Sequence, residues 1–551
     1  MASLSTYTQA LGVKRAAHLL RRATFGGTKS QIDQFAQLTP TEAVSRLFAV
    51  PPEREAPRDP VTGTSWVNPK PTDVNSGRDE LIDQTKAWWI DSFIKSDACI
   101  APKSSFFLHT HFTTISNRLR NAPPIYYQIR LFDQFSVGNF KELTKCVCLD
   151  NAMMRHLDGQ LNRKGNPNEN YAREFFELYS IGKGPQVGPD NYTTFTEQDV
   201  IEAAKVFSGF DIDQEFTNIN PELDISQARV RTNDQGVASQ HDSSTKIFSA
   251  AFQGATVAPI EVVGNSATAE AAIDEVNQLV EIVFEQAATA QHICRKLYRF
   301  FVYYEISEEV EQNIITPLAA IMQQNDYELK PVLEALFTSQ HFYDEDNAEQ
   351  EDDHLGAIIK SPLDLIVGIH RFFEVPLPDY LGDLNTFYST LHHGILSPLS
   401  DQGMYFYEPF EVAGYTAYHQ SPTFHRNWIS SNYLARRYEY AKKLIEGIQD
   451  RDGNELVKLD VMAYVTDPAH ISDPANAAQL VRDLVDYLLP EDISEERFNF
   501  FLNAILLDDL SEINWKFEWQ NYESSGDDLA VRVQLEKLFN TILQSPEFQL
   551  S

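Results

Sequence analysis

The stretch from Asn162 to Tyr179 carries the densest chemistry in the chain: Glu169, Asn170, Arg173, Glu174 and Glu177 are interleaved with Tyr171, Phe175, Phe176, Leu178 and Tyr179. At about 100° per residue of helix, the polar set falls within an arc of roughly 140° and the aromatic set fills the rest. Carboxylates crowded beside one guanidinium can ligate a metal ion or keep a general base ionised. On that chemistry Glu174 is the candidate base or metal ligand and Arg173 the clamp for an anion. Glu177 is a further catalytic carboxylate, Glu169 a metal ligand and Asn170 a substrate contact. A plainer reading competes with this one. Asn166-Pro167-Asn168-Glu169 has the form of a helix start, with Asn at the cap, Pro in the first turn and Glu three residues on. Arg173 then sits four residues from both Glu169 and Glu177, where exposed ion pairs contribute only tenths of a kcal/mol.

Other candidates lie far away in sequence. His109-Thr110-His111 falls in a helical pattern, where the two rings point roughly 200° apart. Both are candidate metal ligands, but no more than one can grip a given ion; the other would pack or hydrogen-bond behind it. His241-Asp242 sets an imidazole beside a carboxylate, an oriented base or a further ligand. His18, Arg21 and Arg22 share nearly one helix face, and paired arginines suit a carboxylate, sulfate or phosphate group, or a fixed internal ion pair. Tyr415, in the aromatic and glycine-containing loop Gly403 to Tyr418, could stack on a sugar ring or pack under the loop. The sequence has no glycine-rich phosphate loop, no Gly-x-Ser-x-Gly elbow and no His-Glu-x-x-His, which removes the main support for nucleotide-dependent, serine-hydrolase and zincin chemistry.

The elements that must position these residues read as mainly α. Helical spacing covers Ala10 to Arg22, starts again at Thr28 and Thr39-Pro40, and runs through most of the chain from Glu80 to Phe207. The helix carrying the polar ridge is expected from Asn166 to Ile181. Pro51 to Gly77 reads as a long loop. From Asp211 to Val263 alternating residues and the Asn233-Asp234-Gln235-Gly236 turn predict a small inserted β-hairpin. The expected organisation is a helical unit over 1–210, the β-containing insertion over 211–264, a helical unit over 265–343, a solvated acidic linker over 344–353 and a helical unit over 354–551.

Among 551 residues, 43% are apolar and 12% aromatic, enough for a large core. The formal net charge of −34 would repel nucleic acid and anionic lipid. No run is apolar and long enough for membrane insertion, and the first residues lack a signal-peptide pattern, so a cytoplasmic address is expected unless another export route is used. Cys99, Cys146, Cys148 and Cys294 read as reduced core thiols.

Several segments, in order and over nearly the whole chain, resemble the bacterial family called domain of unknown function 1800. They are Ala17 to Gly26, His109-x-His111-Phe112, Asn166 to Leu178, Thr196 to Ala204, His241-Asp242 with Lys246, Arg295 to Phe301, Lys360-Ser361-Pro362, Pro409 to Tyr418 and Ser545 to Phe548. The chain departs from the family where Ser243-Ser244-Thr245 replaces a glycine-containing turn and Gly414-Tyr415 replaces Gly-Trp. The resemblance implies a sulfatase- or phosphatase-like partner, because such proteins are often encoded beside family members, many of which are exported. Two functions follow. One is a metal-assisted hydrolase or group-transfer enzyme using a divalent ion on a polar, saccharide or sulfated substrate. The other is a non-catalytic accessory or assembly subunit in which the same residues form a buried polar network.

Overall fold

Side chains that accept the first free amides of a helix fix where many of the helices begin. Thr28 with Gln31 and Thr39 with Glu42 form reciprocal capping boxes, and Ser361 accepts the Asp364 amide at 3.0 Å, each satisfying donors that a helix start leaves open. A computed structural model describes residues 2–67, 77–346 and 354–551. The remaining parts of the expected long loop and acidic linker lie outside the described residues. The architecture is mainly α, and among the described residues strand pairing forms short two-stranded sheets and isolated bridges. Among the described residues no helix is long and apolar enough to cross a membrane.

Most of the buried apolar residues form one cluster running from Ala2 to Phe548. Long-range packing closes it: the helix Gly12–Ala23 meets the helix Ala477–Leu488, and Arg78–Lys95 meets Pro362–Phe372. Cys99, Cys148 and Cys294 are buried free thiols and Cys146 is half-buried.

The β region is more divided than one hairpin. Arg229–Val230 pairs antiparallel with Phe210–Asp211, and Lys246–Ile247 pairs with Thr256–Val257. The Asn233 turn closes on itself, with the Gly236 amide 2.9 Å from the Asn233 carbonyl.

The ridge helix begins later than its sequence suggests. Asn168, not Asn166, is the cap, and the α-helix covers Glu169–Glu174. Asn166 instead closes a tight turn onto the Arg163 carbonyl at 3.0 Å, and the Asn162 side chain takes the Asn168 amide at 3.1 Å. In place of the expected capping box, the Asn168 side chain accepts the Asn170 amide at 3.1 Å while Asn162 holds the Asn168 amide. From Phe175 to Tyr179 the helix widens to a π turn, whose i→i+5 pattern shifts the side chains that follow off the simple wheel.

Candidate functional site

The ridge residues are spent on one another and on near neighbours. Arg173 makes a two-pronged pair with Glu197, at 3.0 and 2.8 Å, and stands 3.5 Å from Glu169. Glu177 pairs with Lys183, and Asn170 donates to the Leu157 carbonyl at 3.2 Å. Glu174 is half-buried, and burial followed by the nearby Glu177 raises its carboxyl above the usual range. Arg173 and Glu197 keep about a third of their side-chain surface, at 32% and 37%, so Arg173→Ala is expected to cost less than about 1 kcal/mol in a urea titration.

Among the described residues neither histidine predicted to join this ridge bonds to its charged side chains. Nε2 of His111 faces the Tyr179 carbonyl at 3.0 Å. The His109 ring lies flat on Tyr407 with centroids 4.1 Å apart, and burial with the nearby His156 holds it down at about 3. Among the described residues no group of three or more His, Cys, Asp or Glu is placed to hold a metal ion. The expected set of His109, His111 and Glu169 is thus not assembled, because the two rings leave opposite sides of one buried helix.

His241 sits in an internal joint. Its Nδ1 meets the Ser208 carbonyl at 2.8 Å and its Nε2 lies 3.2 Å from Glu275, which also pairs with Lys246; all three side chains have 0% exposure. Asp242 accepts the Ser244 amide at 2.9 Å and hydroxyl at 2.6 Å. These bonds and the Lys246 charge outweigh burial and lower its carboxyl. The Tyr415 hydroxyl bridges the Tyr405 carbonyl and Tyr407 amide, each at 3.0 Å, which locks its loop.

Arg21 and Arg22 have a different setting. They occupy the last turn of the helix Gly12–Ala23 and face the start of the helix Pro362–Phe372, where Asp364 accepts from Lys103. Arg21 donates to the Tyr487 carbonyl, but among the described residues its Nη1 is sealed without a partner, as are Nε and Nη2 of Arg22 and Nη1 of Arg437. Arg437 spends its other donors on Gln549 at 2.7 Å and the Lys360 carbonyl at 3.0 Å. The Lys360 ammonium meets the Phe548 carbonyl at 2.7 Å. Burial pushes Arg21, Arg22 and Arg437 down to about 10, and burial with Arg21 and Arg437 holds Lys360 well below its ordinary value.

Two cavities of about 40 Å³ each share Arg21, Asp364 and Ser551 as walls. One is lined further by Lys360, the other by Arg22, Lys103, Arg299 and His425. A single water needs roughly 10–15 Å³ on this scale, so each has room for one small tetrahedral oxyanion. Asp364 is the one side-chain carboxylate among their lining residues. Arg371 makes the contrast: buried nearby, it spends its donors on the carbonyls of Gly26, Phe93, Ile94 and Ser96. It is a staple, whereas Arg22 has unspent donors.

Sequence reasoning found Arg21 and Arg22 from their spacing but missed Lys103, Lys360, Asp364 and Arg437. Lys360-Ser361-Pro362 was a visible signal. It marks the cap that turns Asp364 toward the arginines.

A family model described as a protein of unknown function, DUF1800, matches residues 18–550. No curated protein and no solved structure matches the chain.

Proposed function

Since the chain belongs to the DUF1800 family, whose function is unknown, we propose one from its residues: it binds the sulfate, phosphate or carboxylate group of a polar substrate between Arg21, Arg22, Lys103 and Arg299, as part of a hydrolase or group-transfer enzyme. The observation that carries this reading is the set of sealed guanidinium donors that have no partner among the described residues, at a cavity with one side-chain carboxylate. A buried donor left without an acceptor costs about 1–3 kcal/mol, and a planar guanidinium meets an oxyanion with two parallel bonds. A bound oxyanion removes that cost. The sulfatase- or phosphatase-like partner that the family resemblance implies would handle the same class of anion.

The accessory reading draws support from the ridge, where Arg173 and Glu177 are committed to ion pairs. Calorimetric titration with sodium sulfate and sodium phosphate, against chloride at matched ionic strength, separates the two. The enzyme reading expects one site per chain and at least a tenfold loss of affinity in Arg22→Met, about 1.4 kcal/mol. It also expects Arg22→Met to be no less stable than the parent in anion-free buffer, because buried donors that no acceptor meets have been removed. Wild-type protein that takes up neither anion, together with a destabilised Arg22→Met, would leave only a structural network.

A further inference from the structure

Tyr298, on the helix Ala287–Phe301, is approached by two imidazoles at once. Its hydroxyl oxygen lies 2.9 Å from Nε2 of His341 and 3.4 Å from Nε2 of His354. The far nitrogen of each ring is claimed by a carboxylate: Nδ1 of His341 stands 2.8 Å from Asp346 and Nδ1 of His354 stands 3.0 Å from Asp344. Asp344 is held in turn by the amides of His354 and Leu355, each at 2.8 Å. Sequence reasoning placed both aspartates at the start of a solvated linker. Their side chains are instead buried, at 9% and 8% exposure.

Counting protons exposes a conflict. An ionised carboxylate only accepts, so each Nδ1 must carry its ring's hydrogen, and a neutral ring then presents a lone pair at Nε2. Two such lone pairs converge on one phenol, whose single proton can serve only the nearer. At 3.4 Å the second contact sets lone pair against lone pair. A positive charge placed among the three atoms resolves this. It also offsets two buried carboxylates.

We infer that His341 Nε2, His354 Nε2 and the Tyr298 phenolate oxygen form a binding site for a divalent transition-metal ion of the zinc class, with Asp346 and Asp344 orienting the two rings. Bonds of about 2.0–2.1 Å to a tetrahedral ion put ligand atoms about 3.3 Å apart, close to the 2.9 and 3.4 Å found here. A carboxylate behind each ligating imidazole is the usual way to fix its tautomer and aim. Tyr298 gives up its proton on binding, so uptake releases acid and strengthens as pH rises. The site neighbours the oxyanion cavity, since Arg22 feels the charges of Asp344 and Tyr298, but a metal ion rather than an anion tests it. Its structural effect is to clasp the helix Ala287–Phe301 to both ends of the acidic segment between His341 and His354.

The test is equilibrium dialysis of tag-free, full-length protein against zinc, and separately cobalt, with elemental analysis and the visible spectrum of the cobalt form. One ion per chain with a tetrahedral cobalt spectrum is expected. Tyr298→Phe removes a single oxygen and should weaken uptake at least tenfold with unchanged circular dichroism. Asp344→Asn should weaken it about 10- to 100-fold. If His354→Gln fails to fold, the Tyr298→Phe and wild-type measurements still decide. Wild-type protein that retains neither ion overturns the proposal, as does uptake that Tyr298→Phe leaves unchanged. An imidazolium signal from His341 or His354 persisting in the presence of zinc also overturns it, since a proton would then supply the missing charge.

Discussion

Glu275→Ala is expected to cost about 3–5 kcal/mol of folding stability, because it strips the partner from an ammonium that water cannot reach. Lys246 has 0% exposure and, among the described residues, bonds to Glu275 and the Asp242 carbonyl. Burial lowers its affinity for a proton below the ordinary 10.5, and Glu275 opposes that fall. With Glu275 gone the folded chain holds this proton more weakly still, while the unfolded chain keeps it up to the ordinary lysine range. The unfolded state then binds more protons over a wider span, so stability rises with pH across it and the variant's deficit shrinks as pH approaches 10.5. The double change Glu275→Leu with Lys246→Met removes both charges and should recover most of the loss. Urea midpoints at two pH values measure both effects. A Glu275→Ala protein within about 1 kcal/mol of the parent would show that water reaches the joint.

Gly209→Ala should be comparably damaging, at about 3 kcal/mol or more, through backbone collision. Gly209 has φ +83°, and an added Cβ would stand 2.6 Å from the His241 amide nitrogen and 2.8 Å from the Gln240 carbonyl carbon. Neither neighbour can swing away, because the backbone around Gly209 is tied to Asn162 at 3.0 Å and to Arg231 at 2.8 Å. Gly236 is the control. Its φ is +77° with nothing within 4 Å of an added Cβ, so Gly236→Ala carries only the conformational cost of about 1–2 kcal/mol. Equal losses at the two positions would mean that crowding at Gly209 relaxes.

What could be read from the sequence follows the range over which each signal acts. Capping residues act within one turn, and Thr28 with Gln31 and Thr39 with Glu42 open their helices where expected. Asn166 reads as the cap from sequence, yet Asn168 caps the helix, with its amide held by the Asn162 side chain. A π turn leaves no separate mark on residue spacing, so the wheel that grouped Glu177 with Glu169 could not show it turned to Lys183. Arg21 and Arg22 were legible because they are neighbours. Lys103 and Asp364 lie far apart in sequence and meet only through the fold. His341 and His354 were hidden differently: the acidic residues between them looked like a solvated run, and nothing local indicates that Asp344 and Asp346 turn inward.

With a formal charge of −34 overall and so many cations gathered around the shared cavities, an incoming anion meets repulsion before it meets attraction. Added neutral salt shortens the reach of that outer field, to about 10 Å at 0.1 M, while ion pairs sealed from solvent are screened much less. Capture of a small anion should therefore quicken as ionic strength rises from very low values, the reverse of ordinary electrostatic steering. Release, governed by the sealed guanidinium contacts, should change far less, so the protein would load fastest in a salty medium.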